Sequence, residues 1–443
     1  MTPVPADTLD LPSVVRRFCR YVQTDTTADP GSASTPSTPG QLALARIVVA
    51  DLREAGVADA ALDEATGVVY ATVPGHAPPD APALPVVALC AHLDTSPDAP
   101  GAGVRPHVVP AYDGSAVPLP GDPRVVLDPA RSPALAEHVG HDLLTSDGTT
   151  LLGSDDKAGV AVIVQLAADL LADDRRRTAQ PGAAPLPRPT LRLLFTPDEE
   201  IGRGTDGVDL ERLGADVAYT LDGSGTDRLN AETFNAAEAT VTIEGVGVHP
   251  GYAKGVMVNA LRLAAAFVAA LPPERAPETT EGREGYLHPH TLTGTAERAE
   301  IRLLLRDFSD EGMAALEGVL RAEAEALAAA HPRARVAVEV VPGYRNMRRH
   351  IDATDPRAVS VALAAARAMG FEMTLEPVRG GTDGARLSER GLPTPNVFTG
   401  GYDFHSRAEW NTVQNLERAL AYTHALVRAW GTPPPASPTP HER

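Results

Sequence analysis

Apolar residues at Leu11, Val14, Val15, Phe18, Tyr21 and Val22 recur at the spacing of one helix face, and a second amphipathic stretch runs from Gln41 to about Glu54. Two strand-like runs follow, Gly67 to Val73 and Leu84 to Ala91, the second almost wholly apolar, as expected of a central strand covered on both faces. Proline and glycine then break the alternation from Pro97 to about Pro133, which reads as an insertion with room for short strands; loops of that length inside a compact domain are usually functional or disordered. The pattern resumes with a helix from Gly159 to Asp173, a polar, proline-rich connector from Asp174 to Pro189, and strands Thr190 to Phe195 and Val217 to Leu221. Helices alternating with apolar strands predict an α/β fold with a mostly parallel central sheet.

From about Glu232 the order changes. Strand Ala239 to Glu244, helix Met257 to Leu271, a strand near His290 to Gly294, strand Ala299 to Phe308, helix Asp310 to Ala330 and strand Ala334 to Val341 form a βαββαβ unit. We read it as an inserted α+β domain. Past Gly343 come helix Pro356 to Met369, strands Met373 to Val378 and Thr394 to Phe398, and helix Leu416 to Trp430. The predicted division is a catalytic domain over 1–231 and 344–432, an inserted domain over 232–343, and a disordered tail over 433–443.

Bulk properties narrow the function class. The 443 residues exceed one ordinary core, so two domains are expected. The formal charge of −19 argues against nucleic acid or an anionic membrane as the main partner. No apolar run approaches the ~20 residues that span a bilayer, and the N-terminus lacks the basic, apolar and small-residue order of a signal peptide. Cys19 and Cys90 are too few for a disulfide scaffold, which fits a reducing, cytoplasmic compartment.

Five acidic or histidine elements follow predicted strands of the α/β part. AHLDT places His92 and Asp94 on one side of extended backbone, where Asp94 can accept a ring N–H and leave His92 a bare nitrogen for a metal. LLGSDDKAG puts Asp155 and Asp156 before a helix, a place where the dipole alone would stabilise carboxylates. TPDEE carries Glu199 and Glu200, YTLDG carries Asp222, and GGYDFH carries His405. Taken singly, each is as readily a solvated face or a structural polar group. Together they sit where α/β sheets build their sites, at the carboxyl ends of strands. Two histidines and three carboxylates, one of them shared, suit a dinuclear zinc site better than magnesium.

The motifs AHLDTSPD, TLLGSDDKAG, FTPDEEIGRG, HPGYAKGVMVNA, RGGTDGARLS and NVFTGGYDFH together resemble the peptidase T family, the tripeptide aminopeptidases of the M20 metallopeptidases, over nearly the whole chain. The resemblance implies His92 and Asp222 on one Zn2+, Glu200 and His405 on a second, and Asp155 bridging both, with Co2+ or Mn2+ as alternative ions. It also implies that Asp94 orients His92, that Glu199 is the general base acting on a metal-bridged hydroxide, and that the Asp155–Asp156 peptide is cis. The inserted domain becomes a lid in this reading and a surface through which two copies could pair as a homodimer. His249 would approach the oxyanion, and Asn259, Arg306 and Arg379 would grip the carboxylate of a tripeptide, a task that suits an arginine fork. Without the resemblance, His249 is as readily a loop histidine and Arg306 a structural ion-pair partner.

One departure stands out. Where the family carries a second histidine in an HGKHE-like run, this chain reads HSRAE, with Ala408 at that place. The alternative readings are another M20 activity, a dipeptidase or an N-acyl amino acid amidohydrolase, and a non-catalytic binding protein on a peptidase scaffold.

Overall fold

The computed structural model describes residues 2–77, 83–180 and 184–431. The chain divides into two compact units: one takes in the described residues up to Ala231, His350–Glu376 and those from Thr382 onward, and the other is Glu232–Arg349 with Pro377–Gly381. The expected boundary at 343 therefore lies six residues before the end of the main inserted segment, because Asn346 and Met347 hydrogen-bond back to Asn235 and Thr233. The tail expected to be disordered falls outside the described residues.

An eight-stranded sheet organises the first unit. Its four central strands, Asn396–Phe398, Val217–Gly223, Val87–His92 and Leu191–Thr196, run parallel in that order, and antiparallel neighbours occur only beyond them. Every residue of Val87–His92 is buried, which is why this strand reads as an unbroken apolar run. Helix Ser154–Thr178 packs on it and on Val217–Gly223. This helix starts five residues before the expected Gly159 and ends five after Asp173, because Asp155 and Asp156 at its head have non-helical backbone angles and so hide its onset. Gly159 is required where helix and strand meet: a Cβ there would lie 2.0 Å from the Leu221 carbonyl oxygen.

The stretch from Pro97 builds a small core of its own. Strands His107–Val109 and Leu143–Thr145 join Val4–Pro5 and Trp410–Thr412 in a four-stranded sheet. Behind it Val109, Tyr112, Leu119, Leu127, Leu135, Leu143 and Trp410 form one apolar cluster.

The inserted unit is βαββαβ: Asn235–Glu244, Ala260–Ala270, Tyr286–Gly294, Arg298–Asp307, Asp310–Ala330 and Arg335–Pro342. Its antiparallel sheet alternates, with Ala239, Val241, Ile243, Ile301, Leu303 and Leu305 packed with Leu263, Phe267, Leu316 and Leu320 of the helices. The other face is polar, and Arg302 pairs with Glu238 across it. Three short helices among the described residues were not foreshadowed by the periodicity, Leu210–Leu213, Met347–Thr354 and Asp383–Glu389, and the strand expected over Met373 to Val378 is only Thr374–Leu375.

Candidate active site

The carboxyl ends of the four parallel strands converge on one cluster. His92 is the last residue of its strand, and its Nε2 lies 2.8 Å from Asp155 Oδ1 and 3.6 Å from Asp222 Oδ1. Asp155 is brought there from the head of the helix, through a cis Asp155–Asp156 peptide. Its other oxygen, Oδ2, is 3.2 Å from His405 Nε2, which in turn is 3.0 Å from Glu200 Oε2. One carboxylate thus faces both imidazoles. The expected ligands His92, Asp155, Glu200, Asp222 and His405 all fall in this cluster.

Each element is fixed by neighbours that sequence reasoning did not name. The TPDEE turn leaves its strand through Asp198, a non-glycine residue at φ 57°, whose buried carboxylate accepts hydrogen bonds from Ser37 and from Gln41 Nε2 at 2.7 Å. Asp94 then accepts the main-chain N–H groups of Glu199 at 3.0 Å and Glu200 at 3.1 Å. His92 Nδ1 is 3.1 Å from the Asp94 carbonyl oxygen and 3.4 Å from its Oδ1. Asp94 therefore serves the glutamate turn as well as the imidazole it was expected to orient. Donation from Nδ1 leaves Nε2 as the ring nitrogen that faces the carboxylates, where it can give up its proton to ligate an ion.

Asp156, which the reading of the motif left without a role, accepts the main-chain N–H groups of His92 and Gly159, both at 3.1 Å, and so braces strand against helix. His405 stands in a loop closed by reciprocal main-chain bonds between Tyr402 and Trp410, at 2.9 and 3.1 Å, and both Asp403 and His405 adopt left-handed φ near 55–59°. Such angles cost a non-glycine residue on the order of 1 kcal/mol or more and mark a loop held by its surroundings. Ala408 packs on the apolar cluster of the 97–133 insertion, so the departure at this position is absorbed by that core. Asp383, in the RGGTDG run, is buried and accepts from Thr196 Oγ1 at 2.6 Å. Asp94, Asp156, Thr196, Asp198 and Asp383 lie inside the motifs already quoted, and Ser37, Gln41 and Trp410 outside them; what hid their roles is that most of their contacts run between segments far apart in sequence.

The electrostatics ask for a cation. Burial pushes Asp222 up to about 7 and drives Glu199 and Glu200 above the usual carboxylate range. Burial also opposes ionisation of Asp155, but hydrogen bonds with His405 and His92 hold it below its ordinary value, while Asp155 and Glu200 push His405 up to about 11. A bound divalent ion inverts this logic and keeps every carboxylate charged. Glu200 Oε1 is buried with no hydrogen-bond partner among the described residues, an orphan acceptor that an ion would satisfy. His92, Asp155 and Glu200 bring donor atoms within 4.8 Å of one another, as do His92, Asp156 and Asp222. The donor set of imidazoles and carboxylates fits zinc or a similar transition ion.

The residues expected to touch substrate lie in the inserted unit, each with local partners there. His249 Nδ1 accepts from the Gly251 N–H at 3.1 Å, and Asn259 caps helix Ala260–Ala270 by accepting from Arg262. Arg306 donates to the carbonyls of Ala237 and Leu305, and Arg379 to those of Gly282 and Glu284 and to Thr280 Oγ1.

Comparison with known proteins gives a consistent picture. Residues 231–333 match the peptidase dimerisation domain of M20 enzymes. Peptidase T of Geobacillus sp. (strain WCH70) is 41% identical over 415 residues, spanning 94% of this chain and 98% of the relative. In fold, the chain superposes on aminopeptidase PepT from Bacillus cereus ATCC 10987 with a TM-score of 0.68 at 22% identity, covering 95% and 98% of the two chains. A dinuclear metal binding peptidase of the M20 family from Bacillus subtilis gives a TM-score of 0.60 at 16% identity, covering 94% and 96%.

Proposed function

Because the chain belongs to the peptidase T family of M20 metallopeptidases and is a metallo-exopeptidase, we propose that it removes the N-terminal residue from tripeptides with two divalent ions, Zn2+ by preference. His92 and Asp222 would hold one ion, Glu200 and His405 the other, and Asp155 both. The observation that carries this reading is the Asp155 carboxylate, one oxygen turned to His92 and the other to His405.

When bound, the ions acidify a water and polarise the scissile carbonyl. The chain's own residues do the rest. Glu199 takes the water's proton and returns it to the leaving amine, a role open to a carboxylate that is not itself among the assigned ligands. Asp94 holds the Glu199 main chain, so the base cannot drift from its turn. His249 is assigned to the developing oxyanion, and Asn259, Arg306 and Arg379 to the peptide's carboxylate, on their match to the family's motifs. Pairing of two chains through the inserted unit is part of the same proposal, supported by the dimerisation-domain match. So is a reducing, cytoplasmic setting, supported by two buried free thiols, Cys19 and Cys90. No helix among the described residues is long and apolar enough to cross a membrane.

The test is a panel of unblocked di-, tri- and tetrapeptides and N-acylated amino acids, with metal content assayed beforehand. Chelator-sensitive release of the first residue from tripeptides, with about two ions per chain, is the expected result. Cleavage of the acylated amino acids alone would point instead to the amidohydrolase branch.

A further inference from the structure

Glu409 is the last side chain before the bond that closes the His405 loop, and it is 1% exposed. Its carboxylate takes three main-chain N–H groups from the run that leads into Asp155. Oε2 accepts from Leu152 and Gly153, both at 2.8 Å, and Oε1 accepts from Asp155 at 3.1 Å. Charge-assisted bonds of this kind are about twice as strong as neutral ones.

A closed cycle results. From His405 the chain runs four residues to Glu409; the Glu409 carboxylate grips the Asp155 N–H; and the Asp155 carboxylate returns to His405 Nε2 at 3.2 Å. The two segments are also joined by the pairing of strands Leu143–Thr145 and Trp410–Thr412 and by Asn411 Nδ2 to Ser154 Oγ at 2.9 Å, but among the described residues it is the Glu409 carboxylate that reaches the Asp155 N–H itself. Leu152 and Ser154 are buried and the Gly153 carbonyl accepts from the Lys157 N–H at 3.2 Å, but Gly153 is left-handed and Asp155 non-helical, so no regular helix bond occupies the Asp155 N–H.

We propose that Glu409 is a positioning residue that sets the separation between the bridging Asp155 and His405, and with it the affinity of the ion that His405 helps to hold. The inference rests on the two-ion reading above. It needs no contact between Glu409 and substrate.

Full-length protein stripped with chelator should be titrated with Co2+ by calorimetry while the visible absorption of the bound ion is followed. Glu409→Gln is isosteric but turns an NH2 group toward main-chain donors. It should weaken one of the two binding steps by about 10–100-fold, the usual cost of losing a partner behind a metal ligand, and change the cobalt spectrum. The other step should move less. Folding would be checked by circular dichroism of the metal-free protein, and Glu409→Asp, which keeps the charge but is one methylene shorter, should show a smaller loss of the same step. Isotherms and spectra matching the parent for either folded variant overturn the proposal. So does failure of both variants to fold, which would make Glu409 a purely structural residue. A parent chain that takes up no cobalt defeats the two-ion reading itself.

Discussion

The Asp94 carboxylate accepts the main-chain N–H of Glu199 at 3.0 Å, which ties the end of one central strand to the turn that follows its neighbour. Its second oxygen takes the N–H of Glu200 in the same way. Asp94→Asn leaves one of these buried donors facing an amide nitrogen, at a cost of about 1–3 kcal/mol. We expect kcat to fall by about 10–100-fold with metal content unchanged, measured on protein whose ions have been counted. A parental kcat would mean that the turn holds itself.

Glu199→Ala separates the base from the ligands. Loss of a positioned general base lowers turnover by about 10²–10⁴-fold, and the variant should still take up as many ions as the parent. Activity within a few-fold of the parent would move the base assignment to another group.

Part of this arrangement is legible in the amino-acid sequence and part is not, for identifiable physical reasons. Val87–His92 and Leu191–Thr196 were legible because strands buried on both faces, or nearly so, leave unbroken apolar runs that end where their chemistry begins. His92, Asp155, Glu200, Asp222 and His405 were legible because each follows such an end or heads the helix that crosses it. Glu409, Asp156 and Asp198 were not, since their partners are main-chain groups and side chains brought close only by the fold. The 97–133 stretch gave no clue to its core because Tyr112 and Leu119 find Trp410 almost three hundred residues later.

That core has a measurable weight. Trp410 is fully buried, stacks on Tyr402 at 4.4 Å between ring centroids, and donates Nε1 to Asp403 Oδ2 at 2.9 Å. Trp410→Ala should cost about 3–5 kcal/mol in urea unfolding. Trp410→Phe should cost less, since it keeps a ring to pack while losing the bond to Asp403. Equal losses for the two would show that the indole N–H outweighs the packing.

Asp174, near the C-terminal end of helix Ser154–Thr178, makes a pH-dependent contribution to stability. Burial works against ionised Asp174, yet hydrogen bonds from Arg188 and His76 outweigh it and hold the carboxyl below its ordinary range. A depressed folded-state pKa gives stability that is present above the unfolded value, ~3.9, and lost as pH falls through the folded one. Asp174→Asn should therefore be less stable than the parent at pH 7, with the gap closing below about pH 4. Urea midpoints at the two pH values check this; a gap of constant size would show that the carboxylate's charge is not what stabilises the pair.

The four-stranded sheet beside the site takes one strand from residues 4–5, two from within 107–145 and one from 410–412. His405 depends on that last strand for its loop, so a growing polypeptide holds no closed centre until residue 412 has emerged from the ribosome. Hydrolytic capacity is thereby withheld from copies that have not yet reached that strand.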